Sequence, residues 1–155
     1  MSHFVGANEN TYVAALRVPP AWDYVPAPRS RSCATTWCYS AMSDRVVGPP
    51  ESTLAMGGPT AMGAGESCSD YARGETGAGY VLTSQEQLTV GGIAATEYAY
   101  SRVVGGVGWD MYVVPLDSSL LGCVSLTVAG TESSLTHGTV DMIFTSIEFS
   151  EMTTV

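Results

Sequence analysis

Between residues 80 and 129, four apolar and β-branched runs follow one another with breaks of only a few residues. They cover 80–90, 93–104, 109–114 and 121–129, separated by Gly91-Gly92, Gly105-Gly106-Val107-Gly108 and Pro115-Leu116-Asp117-Ser118-Ser119. A parallel pair needs a crossover of a dozen or more residues, so such breaks force neighbouring strands to run antiparallel. A four-stranded meander is expected. In the last run Val124, Leu126 and Val128 alternate with Cys123, Ser125, Thr127 and Ala129, the period of a strand with one apolar face.

After the meander the period changes. Val140, Ile143, Phe144 and Ile147 recur at helical spacing, and Thr131, Ser133 or Ser134 can supply the N-cap. A helix over 133–148, packed on the sheet and closing the chain, is expected. Upstream, residues 12–18 read as a first strand stopped by Pro19-Pro20. Residues 20–28 carry three prolines and read as an ordered loop pinned by Trp22 and Tyr24. Trp37, Ala41, Met42 and Val46 suggest a short amphipathic helix over 34–47, ended by Gly48-Pro49-Pro50. Residues 48–79 read as a long Gly/Pro/Met-rich loop, with the near-duplicates Ala55-Met56-Gly57-Gly58 and Ala61-Met62-Gly63-Ala64. With 155 residues and 45% hydrophobic content, the chain fits a single α+β domain, residues 1–10 forming a flexible N-terminus.

All six basic residues are arginines, and the formal charge is -9. Sequence-independent nucleic-acid binding is thereby excluded, because neutralising phosphates needs clustered positive charge. No run reaches the roughly 18 apolar residues of a membrane helix, so no transmembrane segment is expected. Charged residues make up 14% of the chain, about half of what an average domain carries, and the four cysteines form an even set. Both features suit a secreted or extracytoplasmic protein whose signal sequence is absent from this chain. The expected bridges are Cys33 with Cys38, closing a short loop, and Cys68 with Cys123, tying the glycine-rich segment to a strand. A metal site and a reactive thiol remain the other uses for these cysteines.

The order of these features resembles a known superfamily. A first strand runs into Val18-Pro19-Pro20-Ala21-Trp22; a meander carries Leu88-Thr-Val-Gly-Gly-Ile-Ala-Ala-Thr-Glu-Tyr-Ala-Tyr100; Leu126-Thr-Val-Ala-Gly130 and Ile143-Phe-Thr-Ser-Ile-Glu-Phe149 complete it. Together they resemble the PsbP/Mog1-like superfamily, closest to the LpqN-type secreted lipoproteins of high-GC Gram-positive, actinobacterial species. The resemblance covers about half of the chain, chiefly 88–149. It implies an antiparallel sheet sandwiched by helices, an αβα sandwich, and a role in binding or docking; it transfers no catalytic residue. The glycine-rich 48–79 segment and the cysteines depart from the superfamily's pattern.

Few residues carry chemistry by spacing alone. Cys33 and Cys38 are spaced CxxxxC, whereas redox motifs and most zinc knuckles use CxxC so that both sulfurs face one point. A nucleophilic cysteine needs a base, and the two histidines are His3, near the terminus, and His137, before the last apolar stripe. No GxSxG elbow occurs, and the absence of lysine removes a Walker-type phosphate cradle. Glu97 and Asp110, on adjacent expected strands, could form a carboxylate pair for acid–base work or stand as two solvated side chains. Met56 and Met62 could complete a soft copper site with His137 or a thiolate, or lie over an apolar surface as adaptable contacts.

The aromatics are the stronger lead. Trp and Tyr join apolar area to a polar handle and are enriched both in cores and at recognition surfaces. The expected ligand-binding residues are Trp22, Tyr24, Met56, Met62, Tyr98 and Trp109, in a groove beneath the 48–79 loop. No cofactor is expected. The expected function is a non-enzymatic, extracytoplasmic binding or docking module, a monomer or weak oligomer, that recognises a protein, an envelope component or a small apolar ligand. The alternatives are an enzyme using Glu97, Asp110, His137 or a cysteine, and a Met/Cys/His metal-binding protein.

Overall fold

The computed structural model describes residues 2–7, 10–20, 22–25, 44–48, 52–60, 65, 67–74, 79–118 and 122–151. The meander is present as expected in β6 (Val81–Val90), β7 (Ile93–Val104), β8 (Val107–Ser118) and β9 (Gly122–Thr131). Its pairs are all antiparallel, with Val90 opposite Ile93 and Val104 opposite Val107 across the tight turns. Gly91 and Gly92 both have positive φ, +57° and +81°, the backbone that a two-residue hairpin turn demands.

β8 runs on through Pro115, where a break was expected. Its pairing with β7 ends at Val113, and from Val114 to Ser118 it pairs with β9 alone. A residue without an amide hydrogen is tolerated on such a stretch.

The meander is one end of a larger sheet. Joined to β9 are β5 (Ser52–Thr60), β4 (Asp44–Gly48) and β3 (Asp23–Val25), giving the order β3-β4-β5-β9-β8-β7-β6. A second sheet holds β1 (Ser2–Ala7), β2 (Asn10–Ala15) and β10 (Glu148–Glu151) in the order β1-β2-β10. β6 forms one edge of the large sheet and carries an extra residue, Thr83, between the pairs Leu82–Tyr100 and Ser84–Ala99. The Thr83 hydroxyl donates to the carbonyl of Ala99 at 3.1 Å.

Several expectations fail upstream. Where a loop was expected over 48–79, the described residues hold β5 and α1 (Cys68–Gly74). Tertiary pairing overrides the glycine-rich composition, because β9 and β4 supply partners on both sides of β5. Residues 44–47, expected at the end of a helix, belong to β4, where Val46 and Val47 suit a strand; 34–43 lie outside the described residues. Residues 2–7, expected as part of a flexible terminus, pair with β2 as β1. The first strand stops at Ala15 and not at 18.

Among the described residues, two helices cover the sheet. α2 (His137–Thr145) is shorter than the 133–148 expected, because residues 131–135 form a turn closed by the amides of Ser134 and Leu135 on the carbonyl of Thr131. Thr136 is the N-cap, its hydroxyl accepting from the amide of Thr139 at 3.2 Å. The chain continues past α2 into β10. Val140, Ile143 and Phe144 of α2, followed by Ile147, pack on Val114, Leu116, Val124, Leu126 and Val128 to form the main core. On the opposite face, Met111 and Val113 of β8 and Tyr100 of β7 pack with Ala72 of α1. Strand alternation alone thus gives each helix its own apolar face. α1 is held down covalently by the disulfide between Cys68 and Cys123 of β9, with Cα atoms 5.5 Å apart. No helix among the described residues is long and apolar enough to cross a membrane.

Candidate functional site

The two-residue Gly91-Gly92 turn sets the register of β6 and β7, and five residues out from it on each strand this register brings Glu86 opposite Glu97. Like charges directly opposite on a sheet repel. On the covering helix, His137 follows the Thr136 cap and Asp141 lies one turn further on, so both emerge on one side of α2. Helix and hairpin therefore bring four polar side chains to one point. His137 Nε2 lies 3.0 Å from Glu97 Oε1, 3.3 Å from Asp141 Oδ1 and 3.4 Å from Glu86 Oε2. One potential donor atom from each residue falls within 4.8 Å of all the others.

The members differ in exposure. Glu97 is 3% exposed, whereas the side chains of His137, Asp141 and Glu86 are about half open to solvent at 44%, 51% and 55%. Tyr112 of β8 stacks on the imidazole, with centroids 5.5 Å apart and planes 6° apart. Burial pushes the Glu97 carboxyl above its ordinary range, against the opposing hydrogen bond and charge of His137, and the nearby Asp141 and Glu86 push it further. Burial alone would lower the His137 pKa, but the hydrogen bond to Glu97 and the charges of Asp141, Glu97 and Glu86 together raise it. Oε2 of Glu97 is buried with no hydrogen-bond partner among the described residues.

A second feature lies at the opposite end of the β6–β7 hairpin. A cleft of about 450 Å³ is lined by Trp109, Val81, Arg102, Val103, Asp110 and Glu132, among others. Val81, Val103, Val104 and Val107, at the β7–β8 turn and the start of β6, are 66%, 74%, 52% and 46% exposed. The Arg102 guanidinium sits 4.4 Å from the centre of the Tyr80 ring. Burial, and then the charge of Glu132, raise the Asp110 pKa.

Of the expected ligand-binding residues, Trp22, Tyr98 and Trp109 stand at three different places. Trp22 is half-buried against the main core. Tyr98 faces α1, its hydroxyl 3.0 Å from that of Ser69 and its ring beneath Arg73 at 4.6 Å, and it lines a smaller cleft of about 250 Å³. Trp109 lines the larger cleft described above. Tyr24 and Met56 fall on β3 and β5, opposite Val46 and Leu126 respectively. Met62, Cys33 and Cys38 lie outside the described residues.

Other pairings change too. Glu97 and Asp110 are not a pair: Asp110 is opposite Ser101, and its carboxylate neighbour is Glu132. Cys68 and Cys123 are consumed by their disulfide, which removes both as thiolate ligands for the Met-based copper site. Two members of the His137 cluster, Glu86 and Asp141, carry no motif of their own in the sequence. Two signals were available: the equal distances of Glu86 and Glu97 from the glycine turn, and the i,i+4 spacing of His137 and Asp141.

No protein-family model matches this sequence, and no curated protein matches it. Among solved structures, the fold is similar to that of LpqN from Mycobacterium tuberculosis, described as involved in cell envelope biogenesis. The TM-score is 0.57 at 11% identity, covering 97% of this chain and 91% of that one. At that identity the likeness is one of fold.

Proposed function

We propose that this protein is a non-enzymatic binding module of the cell envelope, working outside the cytoplasm and recognising a protein partner through the Trp109 cleft and the valines beside it. The observation that carries this is the exposure of Val81 and Val103 in the wall of a cleft of about 450 Å³, with Val104 and Val107 exposed at the adjoining turn. Clustered exposed apolar side chains next to a concave surface with a few polar groups are the usual make-up of a recognition site. The disulfide suits an oxidising compartment. The fold likeness to LpqN, described as involved in cell envelope biogenesis, supports an envelope role, and an αβα sandwich of the PsbP/Mog1 kind is part of the same proposal.

The charge of the cleft supports a basic partner segment. Asp110 and Glu132 repel each other within it, and the chain carries a net charge of -9. A segment pairing an aliphatic side chain with arginine or lysine would fill the apolar part and relieve that repulsion. In a Trp22→Phe/Trp37→Phe background, Trp109 emission should respond saturably to short peptides of this composition. The response should weaken with salt and disappear in Val81→Ser/Val103→Ser. A response to fatty acids in place of the peptides would make an apolar small molecule the ligand, and silence towards both would refute the proposal.

A further inference from the structure

The cluster at α2 is a different site from the Trp109 cleft, and its geometry is unusual for hydrogen bonding alone. An imidazole nitrogen holds one proton or one lone pair, directed in the ring plane. Three carboxylate oxygens, from Glu97, Asp141 and Glu86, nevertheless lie 3.0 to 3.4 Å from the single Nε2 of His137. One N–H can satisfy one of them well. The other two contacts gather carboxylates around a nitrogen whose single N–H cannot be directed at all of them.

These distances have another meaning. Donors bound at about 2.0–2.2 Å to one ion stand about 3.0–3.5 Å from each other, so 3.0, 3.3 and 3.4 Å match the edges of a coordination polyhedron. The wider separations in the cluster, up to 4.8 Å, involve side chains free to adjust, since Glu86 and Asp141 are about half exposed. The second, independent observation is Glu97: a carboxyl 3% exposed, whose Oε2 is buried without a hydrogen-bond partner among the described residues. A buried carboxylate oxygen left unsatisfied is costly and calls for a cation or donor.

We propose that Glu86, Glu97, His137 and Asp141 bind one divalent transition cation, of the Mn²⁺ or Zn²⁺ kind, that clamps α2 to the β6–β7 hairpin. The donor set selects the class. One imidazole nitrogen with carboxylate oxygens suits a borderline divalent ion, whereas calcium takes oxygen donors alone and copper(I) prefers sulfur. Two ligands come from one turn of helix and two from facing positions of a hairpin, so the ion would join elements otherwise held by packing. The stacked Tyr112 ring would fix the imidazole plane.

The test uses the full chain after exhaustive chelation, titrated separately with Mn²⁺, Zn²⁺ and Ca²⁺ by calorimetry, with melting followed in parallel. One equivalent of Mn²⁺ or Zn²⁺ should bind and raise the melting temperature, with Ca²⁺ weaker. His137→Asn and Glu86→Gln should each lower the affinity at least about tenfold, since losing even an outer-shell partner costs 10- to 100-fold. Glu86 is exposed, so Glu86→Gln retains the fold and keeps the test valid if a Glu97→Gln variant does not fold. Absence of saturable binding, binding unchanged in both variants, or preference for Ca²⁺ would each overturn the proposal.

Discussion

The ring of Tyr112 lies flat against the imidazole of His137, joining the middle of the sheet to the first turn of α2. Its partner position on β7 is Ala99, which leaves room for the stack. A stacked aromatic pair contributes about 0.5–1.5 kcal/mol beyond the area it buries. Tyr112→Leu should therefore destabilise the fold by about 1–2 kcal/mol, read from chemical denaturation. A double-mutant cycle with His137→Ala should recover a coupling energy in the first of these ranges.

Phe144 is completely buried in the main core among Val114, Leu126 and Val128. Phe144→Ala leaves a cavity in a close-packed interior and should cost about 3–5 kcal/mol. Met142, on the opposite side of the helix, is 39% exposed. Met142→Ala should change stability by less than about 1 kcal/mol by the same measurement.

The disulfide joins residues 55 apart in sequence. Closing a loop of that size removes about 4 kcal/mol of unfolded-chain entropy in the simple polymer treatment. The Cys68→Ser/Cys123→Ser variant should lose about 2–4 kcal/mol in urea unfolding. Wild-type protein titrated with dithiothreitol should show the same loss once Cys68 and Cys123 become alkylatable.

Gly91 and Gly92 form one turn yet should respond differently to alanine. Both need positive φ, but a Cβ on Gly91 would collide with the ring of Phe149, while one on Gly92 meets nothing within 4 Å. Gly92→Ala should cost about 1–2 kcal/mol of backbone strain. Gly91→Ala should cost about 1–3 kcal/mol more from overpacking. Equal melting temperatures for the two variants would contradict this.

The Asp110 carboxyl is held above its ordinary value by burial and by Glu132. Because its folded pKa is raised, the native state binds the proton more tightly than the unfolded chain does. Stability therefore falls as pH rises from the unfolded value of 3.8 through the raised folded one, and the penalty is complete above that window. Asp110→Asn should be more stable than wild type at neutral pH. The gain should shrink as the pH is lowered through the same window, as followed by urea unfolding at stepped pH.

What the sequence made legible was what local rules decide. Glycine pairs and strand alternation locate β6 to β9, and the stripe Val140, Ile143, Phe144 and Ile147 identifies the core face of α2 and the residue just beyond it. The Cys68–Cys123 bridge was also foreseen. β5 was not, because Gly57, Gly58 and Pro59 read as loop and only pairing with β4 and β9 makes them strand. The polar cluster stayed hidden for a similar reason. Glu97 was noticed on its strand and His137 on its helix, but their contact spans 40 residues and depends on how α2 lies across the sheet.

The extra residue at Thr83 bears on how this chain behaves at high concentration. β6 is a ten-residue edge strand, the kind of open backbone on which another molecule could grow a further strand and start an aggregate. The bulge interrupts the regular spacing of its outward amides and carbonyls, and Glu86 places a negative charge along the same edge. Together they make β6, an edge strand among the described residues, a poor template for a further strand.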